Sequence, residues 1–313
     1  MILVCGEALI DLFLGPATGA ALPVTAAAGG SPFNLAVGLA RLGAPAGYLG
    51  GLSRDAFGDF LMVRLAAEGV DTALTRRSPR PTPLAIVSAD AAGQPAYSFH
   101  AEGCADRDLT PAELPPTLGP EVEAIAMGSF ALAVEPVGSA LLALAEREAG
   151  QRVISLDPNL RPSMVGDLAR WRERFGRFLR RAAIVKLSLE DLEAGYGAGT
   201  DAEAWARQRL AEGAALVVLT RGERGAIGWS AAARVEMPAR PVAVVDTVGA
   251  GDTFHAALLA RLRQRGLLRR EALAGLGAGP LGDVLRYAGI AAALTCTRRG
   301  ADLPRAAEVE AAG

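Results

Sequence analysis

A glycine-rich turn followed by an acidic residue is the strongest chemical signal in this sequence. The turn, Gly249-Ala250-Gly251, stands at the start of a run of helical periodicity that begins at residue 250. Glycines let the backbone approach a ligand closely, and the free N–H groups at a helix start attract an anion. Asp252 would repel a bound phosphate, but its carboxylate could accept a proton from a hydroxyl that attacks that phosphate. A plain helix cap with Asp252 as the capping residue fits this run equally well when it is taken alone.

A second glycine pair opens another predicted helix. Gly29 and Gly30 precede the predicted helix Ser31–Leu42, in which Ser31 is expected to cap and Pro32 suits the first helical position. Asn34 adds a polar side chain in the first turn. A tight turn with an ordinary cap is again the alternative.

Short apolar runs alternate with stretches of helical periodicity through most of the chain, which predicts an α/β fold with a parallel sheet covered by helices. The predicted strands are Met1–Cys5, Ala46–Gly50, Ala124–Met127, Val153–Asp157, Ala183–Leu187 and Leu216–Thr220, with a further β-rich stretch at Pro241–Val245. The predicted helices are Ser31–Leu42, Asp55–Glu68, Glu135–Ala149, Asp201–Glu212, Ala250–Arg265 and Leu281–Thr297.

One region interrupts this alternation. Pro83–Asp90 and Gln94–His100 read as two strands around an Ala-Ala-Gly turn, with no helix between them. Together with Leu12–Ala27 they predict a small antiparallel flap over the main sheet. We therefore expect a single domain over residues 1–313, with lid segments at roughly 12–27 and 83–102.

Composition excludes several classes of protein. With 32 basic and 34 acidic residues the formal net charge is −2, so the basic surface that nucleic acid or an anionic membrane would need is missing. The three cysteines are widely spaced, as expected for reduced thiols in a cytosol. The chain has only two histidines, which argues against a zinc site built from histidines. Glu7 and Asp11 interrupt the first apolar run, so neither a signal peptide nor a membrane span is expected. The sequence predicts a cytoplasmic protein.

Two nucleotide-binding classes are also excluded. A P-loop needs Lys next to Ser or Thr, whereas Lys186, the only lysine, is followed by Leu187. A dinucleotide oxidoreductase needs G-x-G-x-x-G after its first strand, where this chain has Cys-Gly-Glu-Ala-Leu-Ile at residues 5–10. A binding protein without catalysis would gain nothing from Asp252 beside a phosphate.

Over essentially its whole length the sequence resembles the ribokinase-like (PfkB) family of sugar kinases, and most closely the fructokinase branch. The matching segments, in order, are Gly6–Asp11, Gly29-Gly30 with Asn34, Asp157–Arg161, Lys186–Ser188, Thr220–Gly222 with Gly225, Asp246–Asp252 and Thr297–Ala301. The resemblance implies a three-layer sandwich with a mostly parallel central sheet and a small β lid. It also implies transfer of the γ-phosphoryl group of ATP to a sugar hydroxyl, with fructose expected first. A 2-keto-3-deoxygluconate kinase, or another sugar or nucleoside kinase of the family, is the alternative.

The resemblance also implies residue roles. Asp252 matches the catalytic base, and the backbone of Gly249, Ala250 and Gly251 matches the anion hole. Residues expected to bind the sugar are Asp11, Gly29, Gly30 and Asn34, joined by Asn159 and Arg161 at the end of a strand. Residues expected to bind ATP are Lys186, Ser188, Thr220, Gly222, Gly225 and Gly289. Asp191, with Glu190 as the alternative, is expected to organise Mg²⁺, and Asp246 and Thr247 match a site for a monovalent cation such as K⁺.

Two departures from the family bear on specificity. Where many relatives carry an aromatic-Tyr-Arg run near the lid, this chain has Phe99-His100-Ala101-Glu102, so the arginine is missing and His100 and Glu102 become candidate specificity residues. A carboxylated sugar then lacks one partner, which favours a neutral ketohexose. Gly289 stands where relatives often have Asn near the adenine, so base recognition is expected to be looser. The expected partners are the sugar, ATP and a second copy of the chain joined through the lid.

Overall fold

The computed structural model describes residues 1–89 and 95–313, in which a large sheet lies between two layers of helices. The strands are β1 (Ile2–Cys5), β2 (Leu9–Leu14), β3 (Val24–Gly29), β4 (Ala46–Leu49), β5 (Gly51–Ser53), β6 (Arg76–Ser78), β7 (Leu84–Ala89), β8 (Pro95–His100), β9 (Ala124–Gly128), β10 (Val153–Asp157), β11 (Ile184–Ser188), β12 (Leu216–Thr220), β13 (Ala226–Ser230) and β14 (Arg234–Met237). The α-helices are α1 (Ser31–Arg41), α2 (Ala56–Ala67), α3 (Val137–Glu148), α4 (Pro162–Val165), α5 (Leu168–Leu179), α6 (Leu189–Tyr196), α7 (Ala202–Ala211), α8 (Ala250–Gln264), α9 (Arg270–Ala274), α10 (Ala278–Cys296) and α11 (Ala306–Ala312).

Within those ranges the larger sheet has eight strands, in the order β14-β13-β12-β11-β10-β9-β1-β4. The strands from β12 to β4 run parallel, while β13 and β14 add an antiparallel edge. Parallel strands covered on both faces read as continuous apolar runs, and for this reason the sequence predicted the bounds of β10 and β12 correctly. The sequence did not predict β13 or β14; β13 is as long and as buried as its parallel neighbours, whereas the edge strand β14 has four residues and is more polar.

Helices cover both faces of this sheet, which confirms the predicted layering. Along β1, Ile2 and Val4 belong to one buried core, whereas Leu3 and Cys5 belong to the other. The first core also contains buried residues of α1, α8 and α10, and the second contains buried residues of α3 and α5. None of the helices described in residues 1–89 and 95–313 is both long and apolar enough to cross a membrane.

The smaller sheet has the order β3-β2-β7-β8 and corrects one prediction. β2 pairs antiparallel with β3, and β7 pairs antiparallel with β8, but β2 and β7 run parallel. The wholly antiparallel flap that the sequence predicted is therefore wrong in one pairing. A parallel pair needs a long crossover connection, and here α1 and α2 lie between the two strands. The predicted Ala-Ala-Gly turn at 91–93 lies outside the described residues.

The predicted β-rich stretch Pro241–Val245 is also wrong, because these residues form no strand. Val244 and Val245 are 63% and 58% exposed. β-Branched residues favour a strand mainly where they pack against neighbours on a pleated surface, and this segment has no such surface. Instead the N–H of Val245 donates to the carbonyl of Cys296, 2.8 Å away at the end of α10.

Candidate active site

A cleft of about 800 Å³ opens at the carboxyl ends of β11 and β12, beside the start of α8 and one side of α10. Ligands of open α/β sheets bind outside the carboxyl ends of the strands, and a cleft of this volume can hold a nucleotide. Its lining includes eight of the predicted site residues: Ser188, Thr220, Gly222, Gly225, Thr247, Ala250, Gly251 and Gly289.

The turn that leads into α8 is held in one conformation by its neighbours. Gly249, the N-cap of α8, has a φ of 77°, and a Cβ there would lie 2.7 Å from the Cβ of Ala301. Asp246 fixes the turn from the other side, because its two oxygens accept the N–H groups of Val248 at 3.0 Å and Gly300 at 2.8 Å. The first N–H groups of a helix lack intrahelical acceptors and carry the positive end of its dipole. The turn can therefore hold an anion against α8.

Asp252 lies in the first turn of α8 and is only 8% exposed. The hydroxyl of Ser31 donates to its Oδ1 at 2.6 Å, and the amide of Asn34 donates to its Oδ2 at 2.8 Å. Burial raises the pKa of Asp252, and these two hydrogen bonds oppose that shift without cancelling it. The predicted capping role of Ser31 is wrong: Gly30 is the N-cap of α1, and the Ser31 hydroxyl is committed to Asp252 instead.

The glycine pair before α1 lies against β2 and the residues just before that strand. A Cβ on Gly29 would overlap Asp11 Oδ2, and a Cβ on Gly30, at a φ of 102°, would lie 2.9 Å from the carbonyl oxygen of Glu7. Burial, together with the charge of Asp252, raises the pKa of Asp11 to about 6. A carboxylate beside bare backbone is a surface suited to a ligand covered in hydroxyls.

Lys186 on β11 is buried beside Asp157 at the end of the neighbouring strand β10. The two residues are 3% exposed each, and Lys186 Nζ lies 2.6 Å from Asp157 Oδ2. Burial disfavours the charged ammonium, but the adjacent carboxylate outweighs this and raises the pKa of Lys186. The ammonium stays charged and lies near the 249–251 turn, since a Cβ on Gly251 would be 3.4 Å from it.

A family model described as the pfkB family carbohydrate kinase matches residues 1–307. The chain belongs to the PfkB family. A fructokinase of Rhizobium leguminosarum bv. trifolii is 42% identical over 276 residues, which cover 88% of this chain and 84% of that protein.

Solved structures agree with this assignment. A fructokinase from Xylella fastidiosa with bound ATP superposes with a TM-score of 0.91 at 29% identity, covering 99% of this chain and 97% of that one. A double-mutant fructokinase from Vibrio cholerae O395, bound to fructose, ADP and a potassium ion, superposes with a TM-score of 0.85 at 27% identity over 99% and 97% of the two chains. The predicted ribokinase-like α/β fold is confirmed.

In this PfkB chain the predicted metal residue Asp191 has a different local role. Its Oδ1 accepts the N–H of Leu160 at 2.7 Å, and its Oδ2 accepts the N–H of Ser188 at 3.0 Å, so it closes a capping box at the start of α6. The neighbouring Glu190 lines the cleft and is exposed, while Asp191 is buried. Across residues 1–89 and 95–313, no group of three or more His, Cys, Asp or Glu side chains could hold a metal ion.

None of the eight predicted sugar-binding residues lines the cleft in the part of the chain described, and four of them also lie outside the group formed by Asp11, Gly29, Gly30 and Asn34. His100, at the end of β8, and Glu102 are exposed, as is Arg161, whose Nη1 donates to the carbonyl of Leu160 at 3.3 Å. Asn159 adopts a positive φ of 35°, and its N–H donates to Asp157 Oδ1 at 3.2 Å. Their roles stay predictions.

Sequence reasoning did not find the role of Ser31. Ser31 and Asn34 are three residues apart on α1 and so share a helix face. This spacing was the sequence signal that could have indicated that both side chains contact the same group. The reasoning also placed Asp157 at the ligand end of a strand without pairing it with Lys186.

Proposed function

We propose that this chain is an ATP-dependent fructokinase that transfers the γ-phosphoryl group of ATP to a hydroxyl of fructose. The single observation that carries the proposal is the position of Asp252, which lies between the helix start that can hold phosphate and the polar face of α1. Family membership and the 42% identical fructokinase support the same activity.

In this mechanism the sugar lies over Asp11, Gly29, Gly30 and Asn34, with the attacking hydroxyl beside Asp252. The carboxylate accepts the hydroxyl proton as the oxygen attacks phosphorus, and its raised pKa makes it a stronger base than an exposed aspartate. The N–H groups of the 249–251 turn stabilise the charge on the transferring phosphoryl group.

ATP fits the cleft with its phosphates toward α8. Thr220, Gly222 and Gly225 line the cleft at and just after the end of β12. The part of the lining that α10 forms is largely apolar and contains Leu285 and Ala292. Gly289 in this part has nothing within 4 Å of the place its Cβ would take, which supports loose recognition of the base.

The proposed cofactors are Mg²⁺ and K⁺. Mg²⁺ keeps most of its water ligands and usually takes one or two carboxylates with substrate phosphates. Glu190 fits this need because it is exposed in the cleft, whereas Asp191 is buried and does not line the cleft. For K⁺, each oxygen of Asp246 keeps a lone pair beyond its backbone bond, and Thr247 is exposed beside it.

We further propose that the smaller sheet is a lid, comprising segments 12–27 and 83–102, and that two copies of the chain associate through it. Val24, at the start of the outer strand β3, and Leu22, two residues before it, support this interface because they are 48% and 53% exposed. Leu22→Glu should then dissociate the dimer in sedimentation experiments, and a wild-type monomer would contradict the proposal.

The activity is tested with a coupled ATPase assay over fructose, ketodeoxygluconate, ribose, tagatose phosphate and nucleosides, in K⁺ and in Na⁺ salts. We expect the highest kcat/KM with fructose, since Ala101 stands where an acid-binding arginine is usual. A higher value for ketodeoxygluconate would overturn the choice of fructose and redirect attention to Arg161. Asp252→Asn is the control for contaminating kinases.

A further inference from the structure

The hydroxyl of Ser31 makes a long-range contact that the local structure of α1 does not require. Ser31 is the first residue of α1, after the N-cap Gly30, and no side chain caps this helix. A serine inside a helix has no advantage over alanine, the best helix former. The Ser31 hydroxyl instead donates to Asp252 Oδ1, 221 positions away, at 2.6 Å. The contact therefore serves Asp252 rather than α1.

Two donors hold the Asp252 carboxylate, one on each oxygen. Ser31 donates to Oδ1, and the amide of Asn34 donates to Oδ2 at 2.8 Å. The Ser31 bond has the length of a charge-assisted bond between a hydroxyl and a carboxylate. Each carboxylate oxygen has two lone pairs, so one lone pair on each oxygen remains for a sugar hydroxyl. Rotation of the carboxylate would break both bonds, and its orientation is therefore fixed.

Most of the other groups that face Asp252 oppose its ionisation. The residue is only 8% exposed, and burial is the largest effect that raises its pKa. The charge of Asp157 raises this pKa further, whereas the charge of Lys186 lowers it. Asp252 in turn raises the pKa of Asp11 and that of Glu7, so these two carboxyls also repel its charge.

The Ser31 hydroxyl is the strongest of the groups that favour the ionised carboxylate. Its bond lowers the pKa of Asp252 more than the Asn34 bond or the charge of Lys186 does. His255, one turn further along α8, adds no positive charge, because burial lowers its pKa to about 3. A buried base surrounded by other carboxyls thus depends on one hydroxyl that α1 itself does not need.

We propose that Ser31 is a positioning residue whose hydroxyl, through its bond to Oδ1, keeps Asp252 in the ionised form that accepts the proton of the sugar hydroxyl. The proposal rests on the proposed kinase function, in which Asp252 is the general base. A hydroxyl bonds more strongly to a charged oxygen than to a neutral carboxyl. Loss of the Ser31 hydroxyl therefore favours the protonated carboxyl, which cannot act as the base.

The pH dependence of kcat separates this role from a structural one. Ser31→Ala removes the donor and leaves a good helix former at the start of α1. We expect kcat to fall at low pH only, with the acid limb of its pH profile moved to higher pH by about one unit, as for the loss of one hydrogen bond to a charged group. The sign follows because a base with a higher pKa stays protonated up to a higher pH. Saturating fructose keeps the protonation of Asp11, which is expected to change KM, out of this profile.

Two further variants are the controls. Ser31→Thr keeps the hydroxyl and should keep the acid limb at its wild-type pH. Ser78→Ala removes a similar bond that does not involve Asp252, in which the Ser78 hydroxyl donates to Asp108 Oδ2 at 2.6 Å, and it should not move the limb. An acid limb that stays at its wild-type pH in Ser31→Ala, or a kcat that falls equally at every pH, would overturn the proposal.

Titration of the carboxyl itself gives a second measurement that needs no sugar. In protein labelled with ¹³C at its aspartate carboxyls, the NMR signal that Asp252→Asn removes belongs to Asp252. Its titration midpoint should rise in Ser31→Ala and stay in place in Ser31→Thr, and an unchanged midpoint in Ser31→Ala would refute the role of the hydroxyl. If the wild type phosphorylates no sugar, the proposed function fails, and this midpoint still decides the role of Ser31.

Discussion

Replacing Asp252 with Asn tests the proposed mechanism most directly. The amide has almost the same size as the carboxylate, but it cannot accept the hydroxyl proton of the sugar. A positioned general base contributes about 10²- to 10⁴-fold in rate. This corresponds to about 2.7–5.4 kcal/mol of transition-state stabilisation, at 1.36 kcal/mol for each factor of ten.

The surroundings of Asp252 predict a small effect of the same change on stability. The carboxylate accepts hydrogen bonds from Ser31 and Asn34, and an amide can keep the first while its NH₂ group meets the NH₂ group of Asn34. Losing one hydrogen bond costs about 0.5–1.5 kcal/mol. Against this, the raised pKa of Asp252 means that its ionised form opposes folding at neutral pH, and Asn removes that charge. The two effects offset each other, so we expect a melting-temperature change of at most about 4 °C.

The assay measures kcat with fructose, ATP affinity by calorimetry and the melting temperature of both proteins. We expect kcat to fall at least about 100-fold, ATP to bind as tightly as before or more tightly, and the melting temperature to change little. The opposite pattern would refute the reasoning: a lower melting temperature with more than about a tenth of the wild-type kcat would make Asp252 a structural residue.

Gly249→Ala should lower kcat and destabilise the protein by about 1–2 kcal/mol, because its backbone has a positive φ and its Cβ would meet Ala301; unchanged kcat would contradict the anion-hole role. The raised pKa of Asp11, about 6, predicts that KM for fructose increases as the pH falls below that value, since a protonated carboxyl accepts fewer hydroxyl hydrogen bonds. In Asp11→Asn, KM should be high at every pH, and a surviving pH step would assign it to another group. Hydrogen exchange of segments 12–27 and 83–102 should slow when fructose binds, and unchanged exchange in both would argue against a lid.

The parallel core could be predicted because its signal is local. A strand such as Leu216–Thr220 carries only apolar residues before its polar end, and it is buried on both faces in the structure. The glycine turn at 249–251 could be predicted for the same reason, since helix-start chemistry depends on adjacent residues. Site features set by residues adjacent in sequence, such as this turn, are therefore the easiest to predict.

The features that could not be predicted from the sequence depend on contacts between distant parts of the chain. The Ser31 hydroxyl follows a local capping rule in sequence, but a carboxylate 221 positions away binds it in the structure. The metal role of Asp191 stays a prediction, but in the structure one of its oxygens accepts the N–H of Leu160, 31 positions away. Neither contact follows from spacing, because each depends on which strands and helices become neighbours.

The contact between Gly300 and Asp246 also has a consequence for biosynthesis. The two residues are 54 positions apart, and the N–H of one is needed to orient the carboxylate of the other. Ala301 packs on Gly249 in the same place. Residue 301 must therefore be synthesised and leave the ribosome before the 249–251 turn can take its final form. Chains that end before this point contain the strand and the helix proposed to bind the sugar, but they lack both contacts that hold the turn.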